Sequence, residues 1–358
     1  MLPTRKEVQI ELRKYIRVDT MLGTSLYLAD IIMYSAFVYG VLVLPYLWMK
    51  IIASILAGVK ISNLSVIAHD AAHNSLTKSK RLNKFIAITS FLPCMFNYRL
   101  WLYDHNKLHH SMTNEKFPDS YTPFSKEEYD NLPKLRQWKE RLYRRPSVLY
   151  FGLYYILERW SKVKLYPGKQ IPRNIHNSAW KHFFLLICYT AVFLGILVSA
   201  PLYSGTSVST ALILGFIVPF YIFQSLYAAA VYVQHTHPRI PWFNKKPDRQ
   251  TIARQEFISV HLQCPSWVDS LVHHIFDHSA HHACPAIPCY QLGAAQARLN
   301  ELLGKHVVTS RLSLKELSDI MRTCKLYDYE NHCWLDFDGN RNTSPILDDE
   351  TVRQAMAA

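Results

Sequence analysis

Four runs of mostly apolar side chains, residues 26–44, 46–68, 182–202 and 211–232, set the hydropathy pattern of this 358-residue chain. Crossing the roughly 30 Å hydrocarbon layer of a bilayer takes about 20 helical residues, which each run supplies. No water is present there to satisfy bare backbone groups, so such runs span as helices. Pro45 separates the first two runs and a short uncharged stretch, residues 203–210, separates the last two, which predicts two helical hairpins. Asp30, Lys60 and Asn63 interrupt the apolar pattern. A polar residue at that depth is functional or, like Lys60 near the end of its run, snorkels toward the headgroups.

Hydrophobic residues make up 49% and charged residues 19%, a balance that fits a membrane protein better than one or two soluble domains. A formal charge of +13 would suit nucleic acid if it sat on one soluble unit. Here Lys and Arg lie between the apolar runs, where they set topology, and no nucleic-acid partner is expected. The seven cysteines are odd in number and form no CxxC pair, which argues against a disulfide framework or a thiolate zinc site.

The first 20 residues carry Arg5, Lys6, Arg13, Lys14 and Arg17 and lack the apolar core of a signal peptide, so residues 1–25 are expected to remain as a cytoplasmic segment. The positive-inside rule places this segment and the basic region 78–180 on the cytoplasmic face, and four spans satisfy both. The same parity returns residues 233–358 to that face, with 293–358 read as a soluble tail. Residues 85–96 are too short to span and read as a re-entrant or interfacial helix, while residues 142–160 suit the membrane surface.

Histidine clusters fall on that one side. His273 to His282 reads His-His-Ile-Phe-Asp-His-Ser-Ala-His-His, and on a helix His278, His281 and His282 occupy positions i, i+3 and i+4. The second run is expected to continue through His69-Asp70-Ala71-Ala72-His73, one turn between the two imidazoles. In Trp101 to His110, His105 and His109 share a helical face with His110 beside them, and His235 follows the fourth run. Neutral imidazole is the commonest metal ligand. Eight such groups, with His235 a ninth, exceed the four that one tetrahedral ion takes, and so imply two ions. Nitrogen-rich ligation without clustered Cys suits iron that changes oxidation state and binds O2 at open positions. A site at the end of a membrane bundle would act on something whose body lies in the bilayer, an acyl chain above all. Asp70, Asp104 and Asp277 each adjoin a box histidine and are candidates to accept the second N–H of a metal-bound imidazole. Neighbouring helical residues point about 100° apart, so each Asp is expected to serve a histidine of another cluster.

The boxes His-x3-His, His-x3-His-His and His-x2-His-His, with hydrophobic hairpins around them, resemble the membrane fatty acid desaturase and hydroxylase family over residues 45–292. Tyr232-Val233-Gln234-His235-Thr236-His237-Pro238 ahead of the third box is similar to the delta-12 and omega-3 acyl-lipid branch. The resemblance implies an all-α integral membrane protein whose desaturase-like domain, residues 26–292, carries a cytoplasmic helical cap around a di-metal histidine site. It also implies two non-haem iron ions, O2 as co-substrate, a fatty acyl lipid or fatty acid substrate, and a ferredoxin or cytochrome b5-type electron donor. The ligands carried over are His69, His73, His105, His109, His110, His235, His278, His281 and His282, with His273 and His274 as further ligands or supporting groups. The acyl-CoA members use an Asn one turn before the extra His, where this chain has Val231, which leaves one coordination slot unexplained. Hydroxylation, acetylenic bond formation and decarboxylation to a terminal alkene share the same boxes. A membrane metal transporter is the rival from another class, but it would place ligands at mid-bilayer depth, and the interiors of these runs carry no His.

Overall fold

The computed structural model describes residues 2–116, 120–169, 171–244 and 254–357. It is mostly helical, and four helices are long and apolar enough to cross a membrane: Thr20–Val43, Leu47–Ala72, Arg173–Val198 and Val208–His235. Each reaches beyond its hydropathic run at one end or both. Hydropathy marks only the apolar part of a helix, whereas the backbone ladder continues until a cap stops it. Asp19 supplies such a cap for the first span, accepting from the amides of Met21 and Leu22. Ser207 does the same for the fourth, accepting from Thr210.

The chain divides into two compact units. One comprises Val18–Lys107 and Phe151–Ala228 and holds three of the span helices and most of the fourth. Large apolar side chains such as Ile32, Phe184 and Val192 remain 64%, 70% and 66% exposed on these helices, as a lipid-facing surface requires. Where the second and fourth spans meet, a Cβ on Gly58 would stand 2.8 Å from Ile222 and 2.9 Å from the Pro219 carbonyl, so only glycine permits that approach. Lys60 does not snorkel: its Nζ donates to Asp30 Oδ1 at 2.9 Å, and both residues are buried. Lys50 is buried too, its ammonium donating to the carbonyls of Val41 and Leu42 at the C-terminal end of the first span. The segment expected to be re-entrant or interfacial begins earlier than its sequence pattern, as a helix over Lys80–Phe91 capped by Ser79.

The other unit comprises Met1–Arg17, Leu108–Tyr150 and Ala229–Ala358. Its N-terminal helix, Arg5–Leu12, opens with a capping box between Thr4 and Glu7 and buries Val8 and Leu12. The region read as a soluble tail contains the helix Leu314–Thr323 and, among the described residues, three strands that helical periodicity did not announce, one of them paired with a strand that precedes the tail. Val260–Gln263 pairs in parallel with Val308–Arg311, and Leu326–Asp328 pairs antiparallel with Cys333–Leu335. The stretch expected at the membrane surface is divided among the helices Lys134–Tyr143 and Val148–Tyr154 and a π-helical segment, Tyr155–Lys164.

Candidate metal centre

Within the unit that contains the third box, four imidazoles converge. The ligating nitrogens of His109, His235, His278 and His282 lie within 4.8 Å of one another. His235 comes from the last turn of the fourth span helix, and His278 and His282 come from the short helix His278–Ala283. Nε2 of His278 is 2.9 Å from Nε2 of His235 and 3.0 Å from Nε2 of His282. Close by, His110 and His281 bring their Nε2 atoms to 3.3 Å.

The third box, spaced i, i+3 and i+4, is divided between these two groups. Helical rotation puts His282 about 40° to one side of His278 and His281 about 60° to the other. His282 therefore joins the tetrad and His281 meets His110. The second box is divided for a different reason. Residues Leu102–Leu108 wind as a π-helix and His109–Ser111 as a 3-10 turn, so an i, i+4 pair no longer overlies itself. His109 enters the tetrad, and His105 instead meets the first box within the other unit. There the ring centroids of His69, His73 and His105 are 4.6, 4.8 and 5.3 Å apart. Trp101 stacks on His105 at 4.4 Å, fixing that ring from the side.

The donor set fits a cation. Nδ1 of His282 faces Oε1 of Gln255 at 3.3 Å and donates to it, so the neutral ring presents its Nε2 lone pair to a second imidazole nitrogen. Two metal–nitrogen bonds of about 2.1 Å at right angles separate their nitrogens by about 3.0 Å. The observed spacings match that figure. Burial, and then the neighbouring rings of His278, His110, His235 and His109, push the His282 pKa well below its ordinary value, which keeps the ring in the neutral form that binds metal.

The supporting carboxylates are more varied than their sequence positions suggested. Oδ1 of Asp70 lies 2.9 Å from Nδ1 of His69, its own neighbour in the chain. This contact holds the Nδ1–H tautomer and leaves Nε2 as the ligating atom. Asp104 meets two buried cations, accepting from Arg159 at 3.0 Å and from the Lys164 ammonium. The carbonyl of Asp277 accepts from the backbone amide of His281 at 3.3 Å. Its carboxylate meets Nδ1 of His274 at 3.2 Å and Nε2 of His261 at 3.4 Å, while Asp269 holds His274 at 2.6 Å. Those two carboxylates raise the His274 pKa to about 9, so His274 is a cation in an ion-pair cluster, apart from the tetrad. His273 and His274 both have left-handed backbones, with φ of 53° and 55°. Such strain persists only where surrounding contacts hold it, and the Asp269–His274–Asp277 cluster supplies them.

Two residues with no sequence signal position the tetrad. Gln255 holds His282 by one amide atom and the carbonyl of His110 by the other. Asn114 donates to the carbonyls of His235 and Pro241 at 3.2 and 3.3 Å, closing the end of the fourth span helix.

Comparison with known proteins follows the same lines. The fatty acid desaturase family model matches residues 45–312. The chloroplastic omega-6 fatty acid desaturase of Spinacia oleracea is 28% identical over 278 residues, covering 77% of this chain and 59% of the relative. The same-named protein of Brassica napus is 27% identical over 289 residues, covering 78% and 60%. The chain thus spans about 60% of the length of these chloroplastic relatives. The sn-1 oleoyl-lipid 12-desaturase of Picosynechococcus sp. is 26% identical over 283 residues and covers 79% of this chain and 78% of the relative.

Proposed function

The chain belongs to the fatty acid desaturase family, and from that premise we propose that it introduces a double bond into a fatty acyl chain held in a membrane. The reading rests above all on the convergence of the His235, His278 and His282 Nε2 atoms, a donor set that a cation completes. His109, His235, His278 and His282 would hold one iron, and His69, His73 and His105 would serve the second. His110 and His281 are the remaining members of the proposed ligand set.

Iron bound there would supply the activation of O2 and the removal of one hydrogen from each of two adjacent methylenes. The balance is a –CH2–CH2– unit, O2, two electrons and two protons giving –CH=CH– and two waters. A ferredoxin or cytochrome b5-type protein is the proposed donor of the two electrons.

The chain's own residues orient and shield. Asp70 and Gln255 fix the tautomers of His69 and His282, so their lone pairs are set before any metal arrives. Trp101, packed on His105 and 4.9 Å from Phe91, begins an apolar wall that excludes water and limits how far an acyl chain can enter. Regiochemistry would follow from that limit. The name of the Picosynechococcus relative, sn-1 oleoyl-lipid 12-desaturase, supports an oleoyl lipid as substrate, with the new bond at the twelve position. The four spans would form two hairpins, with the histidine-bearing segments as a cap on the cytoplasmic face.

Gas chromatography with mass spectrometry of lipids from an expressing host tests this. A new double bond is expected. A hydroxy acid, an acetylenic bond or a terminal alkene in its place would reject desaturation in favour of the related chemistries. His281→Ala should lose both activity and part of the bound iron, and metal analysis of purified protein reads the second independently of turnover.

A further inference from the structure

The left-handed turn at His273 and His274 gathers a set of ligand atoms that the histidine tetrad does not use. Oδ2 of Asp269 lies 2.6 Å and Oδ2 of Asp277 lies 3.2 Å from Nδ1 of His274, and the three atoms fall within 4.8 Å of one another. All three residues belong to one unit. Asp269 comes from the helix Ser266–Leu271, His274 from the turn after it, and Asp277 from the residue ahead of the third-box helix.

Charge is not balanced in this group. Two carboxylates face one imidazolium, and among the described residues no Lys or Arg pairs with either. Oδ1 of Asp269 is buried and has no hydrogen-bond partner among the described residues, which is costly for a carboxylate oxygen. Asp277 stands at the N-cap of the helix His278–Ala283, yet its side chain makes no capping bond and turns to His274 instead. It is supported from behind. Asn300 donates to Nδ1 of His261 at 3.2 Å, so Nε2 of that ring carries the proton and faces Oδ1 of Asp277 at 3.4 Å. Ligating carboxylates are oriented by partners of this kind. On the helix Cys289–Leu303, a Cβ at Gly293 would stand 2.9 Å from Nδ1 of His274, so glycine keeps that nitrogen clear.

We propose that Asp269, His274 and Asp277 form a structural metal site, outside the proposed iron ligands, that takes a divalent transition-metal ion, zinc by its donor set. The ion replaces the Nδ1 proton of His274, which leaves to solvent, and its two charges neutralise both carboxylates. Metal–ligand bonds of about 2.1 Å set neighbouring donor atoms about 3.0–3.4 Å apart. The His274–Asp277 spacing already meets that figure, and the Asp269 contact reaches it by opening about half an ångström. An imidazole among the oxygens favours zinc over magnesium or calcium, which take oxygen ligands. Bound there, the ion ties the helix that carries Asp269 to the start of the third box and holds the strained turn between them. This inference is independent of the proposed reaction.

Cys264 reports on the site. Burial, and then the carboxylates of Asp269 and Asp277, push its thiol pKa up to about 11. Purified full chain with Cys188 and Cys284 changed to Ser would be treated with iodoacetamide at pH 8, with and without Zn2+. Zinc is expected to change the Cys264 rate by about threefold or more, faster by cancelling the negative charge or slower by drawing the thiolate to itself. His274→Gln and Asp269→Asn in the same background should abolish the response, and metal analysis should find one zinc ion fewer in each, because the box histidines are unchanged. Ca2+ and Mg2+ should leave the rate as it was. No response to zinc in the parent protein, equal zinc content in all three proteins, or an equal response to Ca2+ or Mg2+ overturns the proposal.

Discussion

Lys60 and Asp30 form a buried ion pair inside the membrane-spanning unit, with side chains 10% and 2% exposed and 2.9 Å between Nζ and Oδ1. At an effective dielectric of about 20 their attraction is about 6 kcal/mol, much of it offset by the desolvation of two charges. Lys60→Met leaves the Asp30 carboxylate buried without this cation. Protonation caps the penalty, because neutralising a carboxyl of ordinary pKa, about 3.9, costs about 4 kcal/mol at pH 7 and about 1.5 kcal/mol at pH 5. The single variant should therefore lose about 3–4 kcal/mol at pH 7, about 5–10 °C in melting temperature, and clearly less at pH 5. Asp30→Leu/Lys60→Met removes both charges and should return to within about 1 kcal/mol of wild type.

Cys94 provides the assay. It is fully buried with Sγ 3.6 Å from the Ile61 carbonyl, and burial pushes its thiol pKa well up, so it reacts with a fluorogenic maleimide only after the region beside Lys60 opens. Melting would be followed by that reaction in detergent, with the exposed Cys188 and half-buried Cys264 and Cys284 changed to Ser. If Lys60→Met melts like wild type, if its loss is the same at pH 5 and pH 7, or if the double variant is no better than the single, the pair does not act as described.

Other consequences follow from the site. Gln255→Leu removes the acceptor that orients His282, and isothermal titration with Fe(II) should show about 10- to 100-fold weaker binding with the fold retained. Asp269→Asn weakens the His274 ion pair by about 1–2 kcal/mol after allowance for partial exposure. The His274 pKa is raised to about 9 from about 6.5, so the pair's stabilisation is complete below pH 6.5 and fades as pH rises to 9. The melting difference between wild type and Asp269→Asn should shrink across that window, and a constant difference would contradict the assignment. Gly58→Ala should destabilise by about 1–3 kcal/mol in the same thiol assay, because its Cβ has no room beside Ile222 and Pro219.

Much of this was legible in the sequence because it depends on local periodicity. Long apolar runs can satisfy their backbone in a bilayer only as helices, and histidines one turn apart are neighbours wherever the helix lies. The residues of the three boxes and His235 were therefore identifiable before any fold was known. The family match over residues 45–312 spans all of them.

Which histidine joins which group was a tertiary decision. The π turn at Leu102–Leu108 sends His105 to the first box and His109 to the tetrad, and nothing in the sequence of that segment announces the extra residue per turn. The fate of charged and amide groups was equally hidden. Asp30 finds Lys60 across 30 positions, and Gln255 reaches His110 across 145, because a hydrogen bond requires only proximity in space. Hydropathy and spacing place the histidines along the chain. The phase of each helix and the long-range partners of each polar group decide where their nitrogens point.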